Sequence, residues 1–190
     1  MDNLYLALVH FPVVNRKNEP IGSALTTIDL HDIARACMTF GVNGFYVVTP
    51  YQDQAKLADQ VIRHWLHGEG GRQNPSRKQA LERVRVTDTI ETATNQIQKE
   101  RNQPVVTIAT SAKKHNNTIS TRQLRQRLCS NTSHVLIFGT AWGLAQELMD
   151  NCDMQLDPIT GTGDYNHLSV RSAASIYLDR LTNGRDSAER

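Results

Sequence analysis

The chain has 190 residues, 39% of them hydrophobic and 21% charged, with a net charge of +2. That balance suits one soluble α/β domain with a substantial core and excludes a disordered chain. No apolar run approaches the roughly 20 residues of a membrane helix, and the start MDNLYLALVHFPVV lacks the basic segment and cleavage site of a signal peptide.

In chain order, residues 4–11 read as a first strand. A helix opens near Asp29, with Asp29 or Thr27 as its cap and Ile33, Cys37 and Phe40 along one face. Gly41 and Asn43-Gly44 end it, and residues 45–48 form a second strand. Residues 52–67 make a second helix with Leu57, Val61, Trp65 and Ile62 inward, and the glycine-rich stretch 68–75 reads as a loop. A capped helix start at 76–79 leads to a short strand at 84–86. Residues 89–101 form a helix with Ile90, Ala93 and Ile97 inside, and 105–109 form a buried strand after Pro104. A short basic helix (120–128), a strand (134–138), a helix (143–149) and an extended segment (154–159) follow. Residues 169–181 form the final helix, with Val170, Ala173, Ala174, Tyr177, Leu178 and Leu181 at helical spacing. The polar tail from Asn183 reads as frayed. This alternation predicts one α/β domain over residues 1–190, with a mostly parallel sheet flanked by helices. Ligands of such sheets bind beyond the carboxyl ends of the strands.

Three strand-end loops therefore attract attention: residues 108–112, 138–144 and 159–169. Their glycines allow close backbone approach, and their small hydroxyl residues and helix-start N–H groups supply donors. None matches GxGxxG, GxxxxGK[ST] or GxSxG, which disfavours dinucleotide, P-loop and α/β-hydrolase chemistry. The seven histidines show no HExxH and no His/Cys cluster, so no metal site is expected, and His64 and His67 read as a surface pair. Cys37, Cys129 and Cys152 form no CxxC and read as reduced thiols of a cytoplasmic protein. Charge is unevenly spread: residues 63–127 hold 13 Lys/Arg against 5 Asp/Glu, between acidic flanks. Such a basic middle points to a polyanionic partner, although a solvated helix surface also produces it.

The run Phe138-Gly139-Thr140-Ala141-Trp142-Gly143-Leu144, followed by Asp164-Tyr165-Asn166-His167-Leu168-Ser169-Val170-Arg171-Ser172-Ala173-Ala174-Ser175-Ile176, carries more than its parts. Together they resemble the last two signature motifs of SPOUT (α/β-knot) RNA methyltransferases, most of all a small stand-alone bacterial subfamily. The resemblance is firm over residues 135–181. It implies a C-terminal trefoil knot, S-adenosyl-L-methionine (SAM) as methyl donor, a homodimer with shared active sites, and an RNA substrate (tRNA or rRNA, at a ribose 2′-OH or a base nitrogen). A non-catalytic RNA-binding protein of the same fold, and a methyltransferase of a non-RNA substrate, stand as alternatives.

On that resemblance, SAM is expected against Ala109, Thr110, Gly139, Thr140, Leu144, Ile159, Gly161, Leu168, Ser169 and Ala173. Asn166 and Ser169 stand where related enzymes orient the acceptor, with Ser169 also suited to a plain helix cap. Related ribose methyltransferases use an arginine soon after the first strand. Arg16 or Arg35 is the candidate here, and His10 is a candidate base or a satisfied structural partner. RNA docking on the basic middle would use Arg72, Arg77, Lys78, Arg83, Lys113, Lys114, Arg122 and Arg125, chiefly through phosphates.

Overall fold

The computed structural model describes residues 3–183; most of the tail read as frayed lies outside them. Strand β1 (Leu4–Val9) is wholly buried. It ends two residues earlier than the sequence suggests, because the His10 carbonyl accepts from the Ser23 amide and turns the chain. A two-stranded ribbon of β2 (Val13–Val14) and β3 (Pro20–Ile21) follows, too short to register as a pattern. Helix α1 (Thr27–Thr39) is capped by Thr26, not by Thr27 or Asp29: its hydroxyl accepts from the Asp29 amide. Next come β4 (Gly44–Val48) and α2 (Gln52–His67), the latter with the predicted bounds and with Ala58 and Ile62 as its most buried residues.

The glycine-rich stretch is not a loop. It forms α3 (Glu69–Gln73) before α4 (Pro75–Leu81), which Asn74 caps ahead of Pro75. Gly71 sits in α3 because a Cβ there would lie 1.9 Å from the Trp65 carbonyl oxygen. The glycine answers a packing constraint that local rules read as a break. Strand β5 (Val84–Thr87), α5 (Ile90–Arg101, capped by Thr89) and β6 (Val105–Ala109) follow. A two-residue strand β7 (Thr118–Ile119), absent from the sequence reading, precedes α6 (Thr121–Arg127) with its Ser120–Gln123 capping box.

Strand β8 (Ser133–Gly139) leads to a helix shorter than predicted, α7 (Gln146–Asp150). The ribbon claims the backbone before it: Val14 N donates to Gly143 O (2.9 Å), Trp142 N to Val14 O (3.1 Å) and Ala145 N to Pro12 O (3.2 Å). Strand β9 (Met154–Leu156) and α8 (Val170–Asn183) complete the fold.

Seven strands form one sheet in the order β5-β4-β1-β8-β6-β9-β7, and every neighbouring pair is parallel. Alternate residues of β1 feed two cores. Leu4, Leu6 and Leu8 pack with residues of α1, α2, α4, α6 and α8, while Tyr5, Ala7 and Val9 pack with Ala93 and Ile97 of α5 and Met149 of α7. Burial on both faces explains why these strands read as continuous apolar runs. From β1 the chain builds β4 and β5 on one side, then crosses to place β6 and β8 on the other. Such a reversal opens a crevice at the carboxyl ends of the strands. Among the described residues no helix is long and apolar enough to cross a membrane.

Candidate functional site

That crevice is a cleft of about 630 Å³, lined by the loops after β6, β8 and β9 and by the first turns of α8. Its volume lies within the roughly 300–1,000 Å³ of small-molecule sites. Phe138, Ile159, Leu168, Val170, Ala173 and Tyr177 supply apolar walls, and Thr110, Ser111, Gly139, Thr140 and Gly143 supply small residues and backbone. Asp29 of α1 is the one carboxylate among the lining residues.

The loop after β8 is held tightly. A Cβ on Gly139 would meet Leu144 N at 2.5 Å and the Gly143 carbonyl carbon at 2.8 Å, so only glycine lets the chain fold back here. Ala141 takes a left-handed conformation (φ 51°), which disfavours residues with a Cβ, and Gly143 follows at φ 111°. Both lie where the β2–β3 ribbon pins the loop.

Beneath that loop runs a directed hydrogen-bond chain. Thr140 Oγ1 donates to Val9 O (3.0 Å), so the Ser23 hydroxyl donates to Thr140 and accepts from His10 Nδ1 (3.1 Å). The imidazole is then the Nδ1–H tautomer, and its buried Nε2 has no hydrogen-bond partner among the described residues. Burial holds the His10 pKa below its ordinary value, opposed by Asp29 and by the Ser23 hydrogen bond. Tyr177, buried in the wall, donates to Asp157 O (2.8 Å), and burial pushes its pKa up to about 12.

The segment before α8 is tied down as well. Asn166 Nδ2 donates to Ala112 O (2.9 Å), and Ser169 Oγ accepts from the Ser172 amide (3.2 Å), as a helix cap does. Arg171 bridges α8 to α1, reaching Asp29 at 3.2 Å and Asp32 at 3.7 Å.

Of the residues expected to hold SAM, Thr110, Gly139, Thr140, Ile159, Leu168, Ser169 and Ala173 line this cleft, together with Asn166. Three do not. Ala109 points into the core on the other face of the sheet, because residues alternate along β6. Leu144 is buried in that core as well, bridged to Val13. Gly161 is exposed with open space about it.

The arginine candidates also stand apart from the lining. Arg16 is exposed on the turn of the ribbon, and Arg35 is exposed on α1. His10 is buried below the cleft and reaches it only through Ser23 and Thr140. Sequence reasoning passed over Asp29, read only as a helix cap, and over Arg171, which stood inside the second motif. Their pairing across 142 positions has no local signature.

The basic middle does not form one face. Arg83 precedes β5, at the opposite end of the parallel sheet from Lys113 and Lys114, and donates to Val42 O (2.8 Å). Arg77 lies over the Trp65 ring at 4.8 Å, and Arg72 pairs with Glu69 at 3.3 Å. Several of these cations hold the fold together, which removes them from a common docking surface. Among the described residues no group of three or more His, Cys, Asp or Glu could hold a metal ion.

The chain matches the model of a SAM-dependent RNA methyltransferase family over residues 3–183. It is 45% identical over 179 residues to a tRNA (guanine-N(1)-)-methyltransferase of Oleidesulfovibrio alaskensis, a match covering 94% of this chain and 42% of that relative. It thus spans less than half of that relative's length. A probable methylase family protein from Haemophilus influenzae superposes with a TM-score of 0.63 at 17% identity, covering 100% of this chain and 71% of that one. The SpoU methyltransferase AviRb of Streptomyces viridochromogenes, solved with its cofactor AdoMet, gives a TM-score of 0.56 at 14% identity, covering 98% of this chain and 59% of that one. At such identities the structural likeness is one of fold.

Proposed function

Because the chain belongs to the SAM-dependent RNA methyltransferase family, we propose that it transfers a methyl group from SAM to RNA in the cleft after β6, β8 and β9. The observation that carries this reading is the convergence of three loops, distant in sequence, on one cleft with apolar walls and a floor of small residues. The donor set fits the cofactor. Apolar walls suit an adenine ring, and the small residues Thr110, Gly139, Thr140 and Gly143 leave room for ribose and amino-acid groups beside them. Thr110, Gly139, Thr140, Ile159, Leu168, Ser169 and Ala173 would hold it. When bound, SAM supplies an electrophilic methyl on a sulfonium.

The relative's name supports tRNA as the RNA and N1 of guanine as the acceptor. The placement of Arg16 and Arg35 outside the cleft lining also favours a base nitrogen over a ribose hydroxyl. Asn166 and Ser169 orient the acceptor base at the mouth. Asp29, oriented by Arg171, would take the proton that N1 loses on methylation. Such general-base assistance contributes typically about 10²–10⁴-fold.

The C-terminal trefoil knot belongs to this reading. Its support is the insertion of β9 between β6 and β7, with the following segment tied back to Ile119 and Ala112. The exposed Tyr165, Leu168 and Ile28 near the starts of α8 and α1 support a homodimer. The three free thiols agree with a cytoplasmic location. The test is methyl transfer from isotopically labelled SAM to unmodified tRNA, with mass mapping of the product nucleoside. Label on N1-methylguanosine is the expected result. No incorporation into any RNA would refute the reading.

A further inference from the structure

A second, smaller cavity of about 300 Å³ shares Ser111, Lys113, Trp142 and Gly143 with the cofactor cleft as a common wall. Its floor is apolar: Val14, Leu144 and Met149 are each at least nine-tenths buried. Its rim is polar, with Asn18, His115 and Gln146 around the opening. Trp142 is 56% exposed although it is one of the largest apolar side chains of the fold. The ribbon's hydrogen bonds to Trp142 and Gly143 hold its backbone in place. A flat aromatic face beside an apolar floor, ringed by amide and imidazole groups, is what a single nucleobase requires: stacking on one side and edge hydrogen bonds on the others.

Charge around the opening matches. Lys113 lines the cavity and Lys114 follows it, both exposed, while the ribbon turn that brings Asn18 to the rim also carries exposed Arg16 and Lys17. These cations come from segments almost one hundred residues apart, and the fold brings them to the rim of one small cavity.

We propose that this cavity binds a nucleotide of the RNA flanking the methylated one, its base stacked on Trp142 and its phosphates met by Lys113, Lys114, Arg16 and Lys17. The shared wall keeps a base seated here out of the cofactor cleft, so it sets the register of the strand and is not itself methylated. This rests on the RNA methyltransferase reading.

The experiment uses the full chain carrying Trp65→Phe, which leaves Trp142 as the sole tryptophan of the two, and an unmodified tRNA transcript as the probe. Emission of Trp142 should fall saturably as RNA is added, both with and without saturating SAM. Trp142→Ala should weaken RNA binding by roughly five- to 150-fold, the worth of one stacked base. Arg16→Ala/Lys17→Ala should reduce the slope of log affinity against log salt by about 1.4, for two lost single-strand phosphate contacts. Asn18→Ala/His115→Ala, at positions that line only the smaller cavity, should weaken RNA while leaving SAM affinity unchanged.

Unchanged RNA affinity in all these variants would overturn the proposal. So would displacement of the RNA by SAM, or an emission change driven by protein concentration alone, which would put a second copy over Trp142. If the parent fails to bind SAM, the methyltransferase reading falls, and the quench measured without SAM still decides whether the cavity takes a nucleotide.

Discussion

Replacing Gly139 by alanine tests how the cleft is built. The added Cβ would stand 2.5 Å from Leu144 N, 2.8 Å from the Gly143 carbonyl carbon and 3.0 Å from Leu144 Cγ. Two of those atoms are backbone, and the ribbon holds them through Val14 and Pro12. To restore ordinary contact the loop must retreat by about 1 Å, an overpacking that costs about 1–3 kcal/mol. At roughly 2–4 °C per kcal/mol for a chain of this size, Tm should fall by about 2–12 °C. The same shift moves Thr140 and Trp142, which line the cleft. A displacement of about 1 Å at a reacting centre costs on the order of 10²-fold in rate. Gly139→Ala should therefore lose about 100-fold in kcat/KM for methyl transfer, with weaker SAM binding by calorimetry. Gly161→Ala is the matched control. Its nearest neighbour would be Tyr165 O at 3.9 Å and its backbone is not left-handed, so stability should change by no more than about 0.5 kcal/mol and SAM binding should persist. Parent-like SAM binding and Tm in Gly139→Ala, or equal damage from Gly161→Ala, would refute this account of the loop.

Asp29→Asn should lower the rate of methyl transfer by about 10²–10⁴-fold with SAM affinity retained; an active Asp29→Asn protein would exclude the carboxylate as the proton acceptor. Arg171→Met leaves Asp29 without its nearest cation and should destabilise the fold by about 1–3 kcal/mol, read from urea midpoints. Burial lowers the pKa of His10, His31 and His134, so the unfolded chain binds protons at a pH where the folded chain does not. Stability should be fully present above the ordinary histidine range and should decline as pH falls from about 6.5 toward the lowered values, each histidine contributing at most about 1.4 kcal/mol per pH unit. Denaturation at pH 7.5 and 5.5 checks the sign, and a profile that rises toward acid would contradict it. Sedimentation at micromolar concentration should give twice the 21.3 kDa chain mass; a monomer would count against the shared site.

The strands were legible because parallel strands buried on both faces must be apolar throughout. Residues 105–109, of which only Ile108 and Ala109 are buried, and helix 52–67 keep in the structure the bounds that an apolar run and helical periodicity predict. The three strand-end loops were legible too, since glycine and small hydroxyl residues after a strand are local features. Equally local rules failed where a distant surface decided. Local rules make Gly71 a breaker, yet it sits in a helix against the Trp65 carbonyl. Local pattern predicts a helix from residue 143, but Val14 and Pro12 take the hydrogen bonds of Gly143 and Ala145.

The sequence by itself determined which segments alternate, which residues face a core and which motif family residues 135–181 resemble. All of these are periodic or contiguous properties of the chain. Only the tertiary structure decided that β9 enters between β6 and β7, that Asp29 meets Arg171, that Gly139 is indispensable where Gly161 is free, and that His10 is sealed beneath the cleft. Each of these is set by steric and electrostatic contact between segments far apart in the chain, a distance no local pattern encodes.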